Sequence, residues 1–486
     1  VYVQHEKQAT KNVSIRALLL DAAENEVTID EFKKRNDSEG VEHYSSTLTI
    51  KQPRRWDGKA DPYRYTLRVE LIRRNAGENQ PEILDVVEQT FGAREFRVDP
   101  QQGVFLNGKP LDLHGVSRHQ DRLDKGWAIS RADMEEDFKI IDELGCTIVR
   151  LAHYQHDSYA YELADRAGIV VWAEIPLIDK ITDSKAFLSN AEQQLTELIH
   201  QNHNHPSICF WGIHNEVTAP WKQPSPDPTE VVKRLNEVAK DADPTRLTVS
   251  AACDPVDHPA NWQTDLTAFN RYFGWYTGEP DDIAQWCDDT HKKYPRTPLG
   301  ISEYGAGASI HHHEWPPTKP VHNGPQHPEE WQTYLHERHW EAMKKRPYLW
   351  CKIIWNGFDF AVDSRNEGDT KGRNDKGLVT IDRKTKKDAW YWVQSQWSEK
   401  PMIHISHAAR DALGAAAPIR IYSNCETVTV EIDGREVANH RDYDGAINYE
   451  TFDLHPGTQS FKAIGRQGDQ TVEATCVVVI SRDSQK

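Results

Sequence analysis

Several apolar runs in this chain end in carboxylates, imidazoles and aromatics rather than in ordinary turn residues. The run at Gly115-Val116 leads into Ser117-Arg118-His119-Gln120-Asp121, and Arg150-Leu151-Ala152 leads into His153-Tyr154. Another ends at Glu174; further on come His214-Asn215-Glu216, Asn270-Arg271-Tyr272, Glu303-Tyr304-Gly305 and Trp355-Asn356-Gly357-Phe358-Asp359. Two carboxyl groups facing each other across a pocket are the minimum equipment for breaking a glycosidic bond. One protonates the leaving oxygen, and the other attacks the anomeric carbon or activates water. Glu216 and Glu303 are the natural pair. Beside them, Asn215 can hydrogen-bond a sugar 2-hydroxyl, Tyr272 can orient the second carboxylate and keep it ionised, and Trp355 offers a stacking face for a pyranose.

Taken singly, each of these residues has a plainer reading. An Asn-Glu pair is usually a helix cap or surface pair, a lone strand-end Glu is more often salt-bridged than catalytic, and His119, His153 or Trp355 alone would be core or rim residues. Joint placement at successive strand ends favours chemistry. The run His311-His312-His313 invites a metal reading, but neighbours on an extended chain point to alternating faces and seldom chelate one ion. His200, His203 and His205 precede Pro206 and read as a helix terminus. No metal and no cofactor is expected.

The elements that must position these groups fall into three stretches. Residues 1–98 carry short alternating runs at 13–20, 43–50, 65–71 and 91–98, the pattern of a small antiparallel β sandwich. Residues 99–398 alternate strand-like runs at 111–116, 147–152, 169–175, 207–213, 247–252, 266–270, 298–302 and 353–357 with helix-like segments at 133–145, 158–168, 186–201, 229–241, 281–294 and 329–345. Eight such units predict a closed (β/α)8 TIM barrel, although no fifth helix is evident. In that fold, reactive groups project from the C-terminal strand ends. Residues 401–486 return to alternating strands at 419–422, 427–432 and 471–480, with turns at Asp433-Gly434 and Pro456-Gly457, and predict a second β sandwich.

At 486 residues the chain suggests about three domains. Its 38 % hydrophobic content is that of a globular protein, and no apolar run approaches the ~18 residues that would span a bilayer. A net charge of −17 without a basic cluster argues against nucleic acid or an anionic membrane surface as partner. The seven cysteines are odd in number, widely spaced and without a C-x-x-C, so they read as buried thiols, with a Cys425–Cys476 pairing left open. The start at Val1 suggests processing or a fragment of a longer precursor. A secreted or periplasmic location is set ahead of a cytoplasmic one.

The chain resembles glycoside hydrolases of family 2, of the β-galactosidase type. The resemblance rests on Asn107-Gly108-Lys109-Pro110, Gly115 to Asp121, Arg150 to Asp157, Trp172-Ala173-Glu174-Ile175-Pro176, Asn204-His205-Pro206-Ser207, His214-Asn215-Glu216, Ile301 to Ser309 and Trp355 to Phe360, spread over essentially the whole length. It implies a barrel flanked by two immunoglobulin-like β sandwiches, with Glu216 as acid/base, Glu303 as nucleophile, and net retention. His119, His153, Asn215, Tyr272 and Trp355 are then implied to line the sugar subsite, with Glu174 less firmly placed. Family members ordinarily begin with a jelly-roll domain to which nothing here corresponds, so a separate jelly-roll fragment or a homo-oligomer enters as an expected partner. Where magnesium-dependent members place metal ligands, this chain has Ile178-Asp179-Lys180. The element Asn374-Asp375-Lys376-Gly377 resembles the one by which family β-glucuronidases grip a sugar carboxylate. The Gly-Ala-Gly-Ala-Ser segment after Glu303 and the Arg-His-Gln-Asp run favour terminal β-galactosides instead. β-Glucuronides or β-galacturonides are the alternative within the family, and a noncatalytic carbohydrate-binding scaffold is the alternative outside it.

Overall fold

The computed structural model describes residues 2–4, 13–32, 41–43, 45–74, 80–222, 226–413, 417–441, 444–449 and 457–480. Its centre is a closed barrel of eight parallel strands, hydrogen-bonded in chain order: His114–Arg118, Ile148–Leu151, Val170–Glu174, Ile208–Asn215, Leu247–Ala252, Leu266–Asn270, Leu299–Tyr304 and Leu349–Ile354. The first strand closes against the eighth, with Gly115 opposite Ile353. Most barrel strands are buried along their whole length, which is why they read as apolar runs rather than as alternation.

Helices Arg131–Leu144, Ser158–Ala167, Lys185–Asn202, Thr229–Ala242, Asp282–Lys293 and Glu329–Met343 pack outside, as the 3.6-residue periodicity predicts. The first two end on glycines in the left-handed region, Gly145 at φ 94° and Gly168 at φ 70°. Gly168 also meets the N-terminal region so closely that a Cβ would lie 2.3 Å from the Gly58 carbonyl. Only the short 3-10 turn Pro259–Trp262 stands between strands five and six. A further helix, Asp388–Trp397, follows strand eight; its tryptophans leave no clear polar face, so the sequence periodicity does not mark it.

Two immunoglobulin-like β sandwiches flank the barrel. In the N-terminal one, strands Glu26–Phe32, Val13–Leu20, Tyr65–Arg73 and Glu82–Phe91 form one antiparallel sheet. In the C-terminal one, a three-stranded sheet faces a four-stranded sheet across Ile405, Ile419, Ile421, Val428, Val430 and Phe461. Strand Phe96–Asp99 pairs with Gly103–Leu106, and Val104 and Leu106 join Trp172, Phe210 and Trp350 in one buried cluster of the barrel.

Several sequence-derived boundaries need correction. The eighth strand is 349–354 rather than 353–357; Lys352 looks like a terminator, but its stem is buried and its ammonium pairs with Asp112. The first begins at His114 rather than 111, because Lys109–Leu111 belongs to the small sheet with Gly103–Leu106. The 91–98 run is broken where Gly92 packs against Pro206 and Trp56, positions a Cβ would approach to 2.8 and 2.9 Å. Residues 45–50 alternate but form no strand, having no strand partner among the described residues. No disulfide joins Cys425 to Cys476: Cys425 Sγ instead donates to the Met402 carbonyl at 3.6 Å. Pro456 lies outside the described residues, and Gly457 opens a strand.

Candidate active site

The C-terminal strand ends open into a cavity of about 630 Å³ whose lining includes His119, His153, Asn215, Glu216, Tyr272, Glu303, Trp355 and Asn374. Eight of the nine residues singled out from sequence therefore meet in one place. The ninth, Lys376, is not part of the cavity lining but adjoins it, its Nζ 5.1 Å from the ring of the lining residue Tyr276 and 5.3 Å from the ring of Trp275.

Each carboxyl group has a distinct setting. Glu303, in strand seven, accepts from Arg150 NH1 at 2.6 Å on one oxygen and from the Tyr272 hydroxyl at 2.6 Å on the other. Both hydrogen bonds are short, and together they fix the orientation of the carboxyl group in the cavity. Glu216 follows strand four in the left-handed region at φ 53°, a conformation costly for a residue with a Cβ and held here by Glu216 N donating to the Ala251 carbonyl at 2.9 Å. Its Oε1 accepts from Asn270 Nδ2 at 2.9 Å, and Asn270 is itself fixed by Ser302 Oγ at 2.7 Å. Burial, reinforced by the negative charge of Glu303, pushes the Glu216 carboxyl up to about 8, so it carries a proton at neutral pH.

The centre of this network is Arg150, to which the sequence pattern assigns no role. From strand two its guanidinium reaches Glu174 at 3.1 and 3.0 Å, Glu303 at 2.6 Å and the side-chain oxygen of Asn215 at 2.8 Å. Burial pulls its pKa down, yet Glu174 and Glu303 outweigh it and hold the charge. Glu174 is likewise buried, but Arg150 and His153 bring it below its ordinary value. His153 Nδ1 lies 2.7 Å from Glu174 and its Nε2 3.9 Å from Glu303, while its ring stacks on Trp355 at 4.9 Å. His119 stacks on Phe360 at 4.3 Å and meets Trp355 edge-on, and burial lowers its pKa far enough to keep it neutral. The signal for Arg150 was a single cation inside an otherwise apolar strand, a position tolerated only where anions meet it. For Asn270 the only signal was its place at the end of strand six.

Among the described residues, no group of three His, Cys, Asp or Glu side chains is placed to hold a metal ion. The consecutive histidines separate: His313 Nδ1 pairs with Glu330 at 2.8 Å, whereas His312 Nδ1 accepts from the His327 amide at 3.2 Å.

Residues 97–400 match the TIM barrel domain of glycosyl hydrolases family 2, and residues 1–94 match a second domain of the same family. The chain belongs to glycosyl hydrolases family 2. Within the family it is similar to a β-glucuronidase of Bacteroides fragilis, 46 % identical over 367 residues that make up 74 % of this chain and 51 % of that protein. It is also similar to the β-galactosidase BoGH2A of Bacteroides ovatus, at 23 % identity over 96 % of this chain and 59 % of that one. The crystal structure of a Bacteroides uniformis β-glucuronidase superposes with a TM-score of 0.85 at 26 % identity, covering 96 % of this chain and 57 % of the other. The chain thus spans between half and two thirds of the length of these family-2 relatives.

Proposed function

We propose that this family-2 chain carries the catalytic centre of a retaining exo-β-glycosidase that removes terminal β-uronosyl groups, with β-glucuronides as substrates. The observation that carries the glycone is Lys376. Its side chain is 1 % exposed and its Nζ has no hydrogen-bond partner among the described residues, with Glu367 Oε1 4.0 Å away. A buried ammonium whose one anion stands 4.0 Å away and is shared with Arg365 is costly unless a ligand supplies another. The resemblance of Asn374-Asp375-Lys376-Gly377 to a carboxylate-gripping element and the name of the 46 %-identical relative support the same reading. Terminal β-galactosides, favoured by the segment after Glu303, remain the second reading, supported by the similarity to the Bacteroides ovatus enzyme.

In the proposed mechanism, the Glu303 carboxylate, aimed by Arg150 and Tyr272, attacks the anomeric carbon while the glycosidic C–O bond breaks. Glu216 gives its proton to the leaving oxygen. Esterification removes the charge on Glu303, and with it the largest of the charge effects that keep Glu216 protonated. Glu216 then acts as base: it takes a proton from water, whose oxygen attacks the anomeric carbon and breaks the ester, restoring both groups. Asn215, oriented by Arg150, is placed for the 2-hydroxyl, and Trp355 for the ring face.

The test is hydrolysis of aryl β-glucuronide, galacturonide, galactoside, glucoside and mannoside by this chain, with Glu303→Gln as control. Preference for the glucuronide that disappears in Lys376→Ala supports the proposal. Galactoside preference retained in Lys376→Ala refutes the uronoside reading, and activity undiminished in Glu303→Gln refutes the mechanism.

A further inference from the structure

A second cation stands near Lys376, and the local charge does not balance. The short antiparallel ribbon of Phe360–Ala361 and Arg373–Asn374 carries Phe360 and Asn374 to the cavity, and the loop between its strands brings Arg365 to the same wall. That loop is tied down around Arg365: its amide donates to the Val362 carbonyl at 3.1 Å, and its carbonyl accepts from the Gly372 amide at 2.9 Å. The guanidinium is therefore delivered from a fixed backbone.

Arg365 and Lys376 both approach one oxygen, Oε1 of Glu367, at 2.5 and 4.0 Å. Arg365 NH2 also donates to the Tyr276 hydroxyl at 3.4 Å. Two cations thus share one carboxylate and one phenol, the neighbouring Asp375 carboxylate being engaged by His327 at 2.6 Å, and this leaves an excess positive charge where the Arg365 side chain is 29 % exposed and that of Lys376 is 1 % exposed. His322, whose ring lies 5.2 Å from that of Tyr276, adds no charge at neutral pH, because burial holds it below its ordinary value. Burial pushes the Tyr276 phenol up, but Lys376 and Arg365 more than cancel that, as a positive surplus requires. The nearby cation Arg271 is already matched by Asp254 at 2.7 and 2.9 Å. A guanidinium has five N–H donors, so its two side-chain bonds leave others for a substrate oxygen.

We infer that Arg365 is a specificity-determining residue that, together with Lys376, binds the carboxylate of a β-uronoside substrate, with Glu367 fixing its position. The inference rests on the uronoside reading given above and adds a residue outside the Asn-x-Lys-Gly element. Charge-assisted contacts of this kind distinguish a carboxylate from the hydroxymethyl group of a neutral sugar, to which a buried cation surplus offers no compensation.

The test uses binding, so that turnover is not required. Phenyl 1-thio-β-D-glucuronide and phenyl 1-thio-β-D-galactoside are titrated calorimetrically into the whole chain, Arg365→Gln, Arg365→Lys and Lys376→Ala. Arg365→Gln is expected to weaken thioglucuronide binding by about tenfold or more, leave thiogalactoside binding unchanged, and be partly rescued by Arg365→Lys. Equal weakening of both ligands would show that Arg365 only supports the fold of the loop, and no weakening of either would show that it touches no carboxylate; both overturn the inference. If Lys376→Ala abolishes a glucuronide preference that Arg365→Gln retains, this inference fails while the uronoside reading stands. A wild-type chain that shows no preference for thioglucuronide overturns both.

Discussion

Replacing Glu303 by Gln should change the acidity of Glu216, because the two carboxyls are electrostatically linked. Burial, the Glu303 charge and, to a smaller extent, Asp179 lift Glu216 from 4.5 to about 8. For carboxyls about 5.5 Å apart, the spacing of retaining enzymes, an effective dielectric near 20 gives a repulsion of roughly 332/(20 × 5.5), or about 3 kcal/mol, equivalent to about two pH units. Arg150 on Glu303 screens part of this field. The expected outcome is a Glu216 pKa of about 6 to 7 in Glu303→Gln, still above the ordinary value because burial remains. Infrared difference titration of the protonated carboxyl stretch reads this directly, with the double variant Glu216→Gln/Glu303→Gln as baseline. A value that stays near 8 would refute the reasoning: the Glu303 charge would then contribute nothing to the acidity, and esterification of Glu303 could not convert Glu216 from acid to base.

Four further outcomes are expected. Because the folded pKa of Glu216 is raised above its unfolded value, the stability linked to its protonation is complete below about 4.5 and is lost as pH rises to about 8. Glu216→Gln should accordingly gain melting temperature over wild type progressively between pH 5 and 8 and no further above it, as differential scanning calorimetry would show. Tyr272→Phe removes one short hydrogen bond to Glu303 and should lower kcat about ten- to hundredfold with little change in KM; an unchanged kcat would deny Tyr272 its orienting role. Arg150→Met leaves Glu174 and Glu303 buried without their cation and should cost about 3–5 kcal/mol in urea unfolding, part of which Glu174→Gln in the same chain should restore. Gly115→Ala places a Cβ 1.7 Å from the Ile148 carbonyl oxygen and should destabilise the barrel by about 3 kcal/mol or more; a variant as stable as wild type would contradict the strand spacing.

The sequence by itself determined the architecture and the carboxyl pair. Fully buried parallel strands give unbroken apolar runs, and outer helices show one apolar stripe, so the order of elements and the C-terminal strand ends could be read directly. Strand ends blurred where one position contradicted its surroundings, as at Lys352, whose charge is met by Asp112, 240 residues away in the chain. Only the tertiary structure decided what neighbours each charged group. Arg150 acquires its role from Glu174, Asn215 and Glu303, which come from three other strands. The raised pKa of Glu216 depends on its burial and on a carboxylate 87 positions later in the chain. The surplus charge at Lys376 emerges when a loop folds Arg365 and Glu367 against it. Hydrophobic periodicity is a local property and survives in a linear string; electrostatic environment is set by distance and burial, which only the folded chain defines.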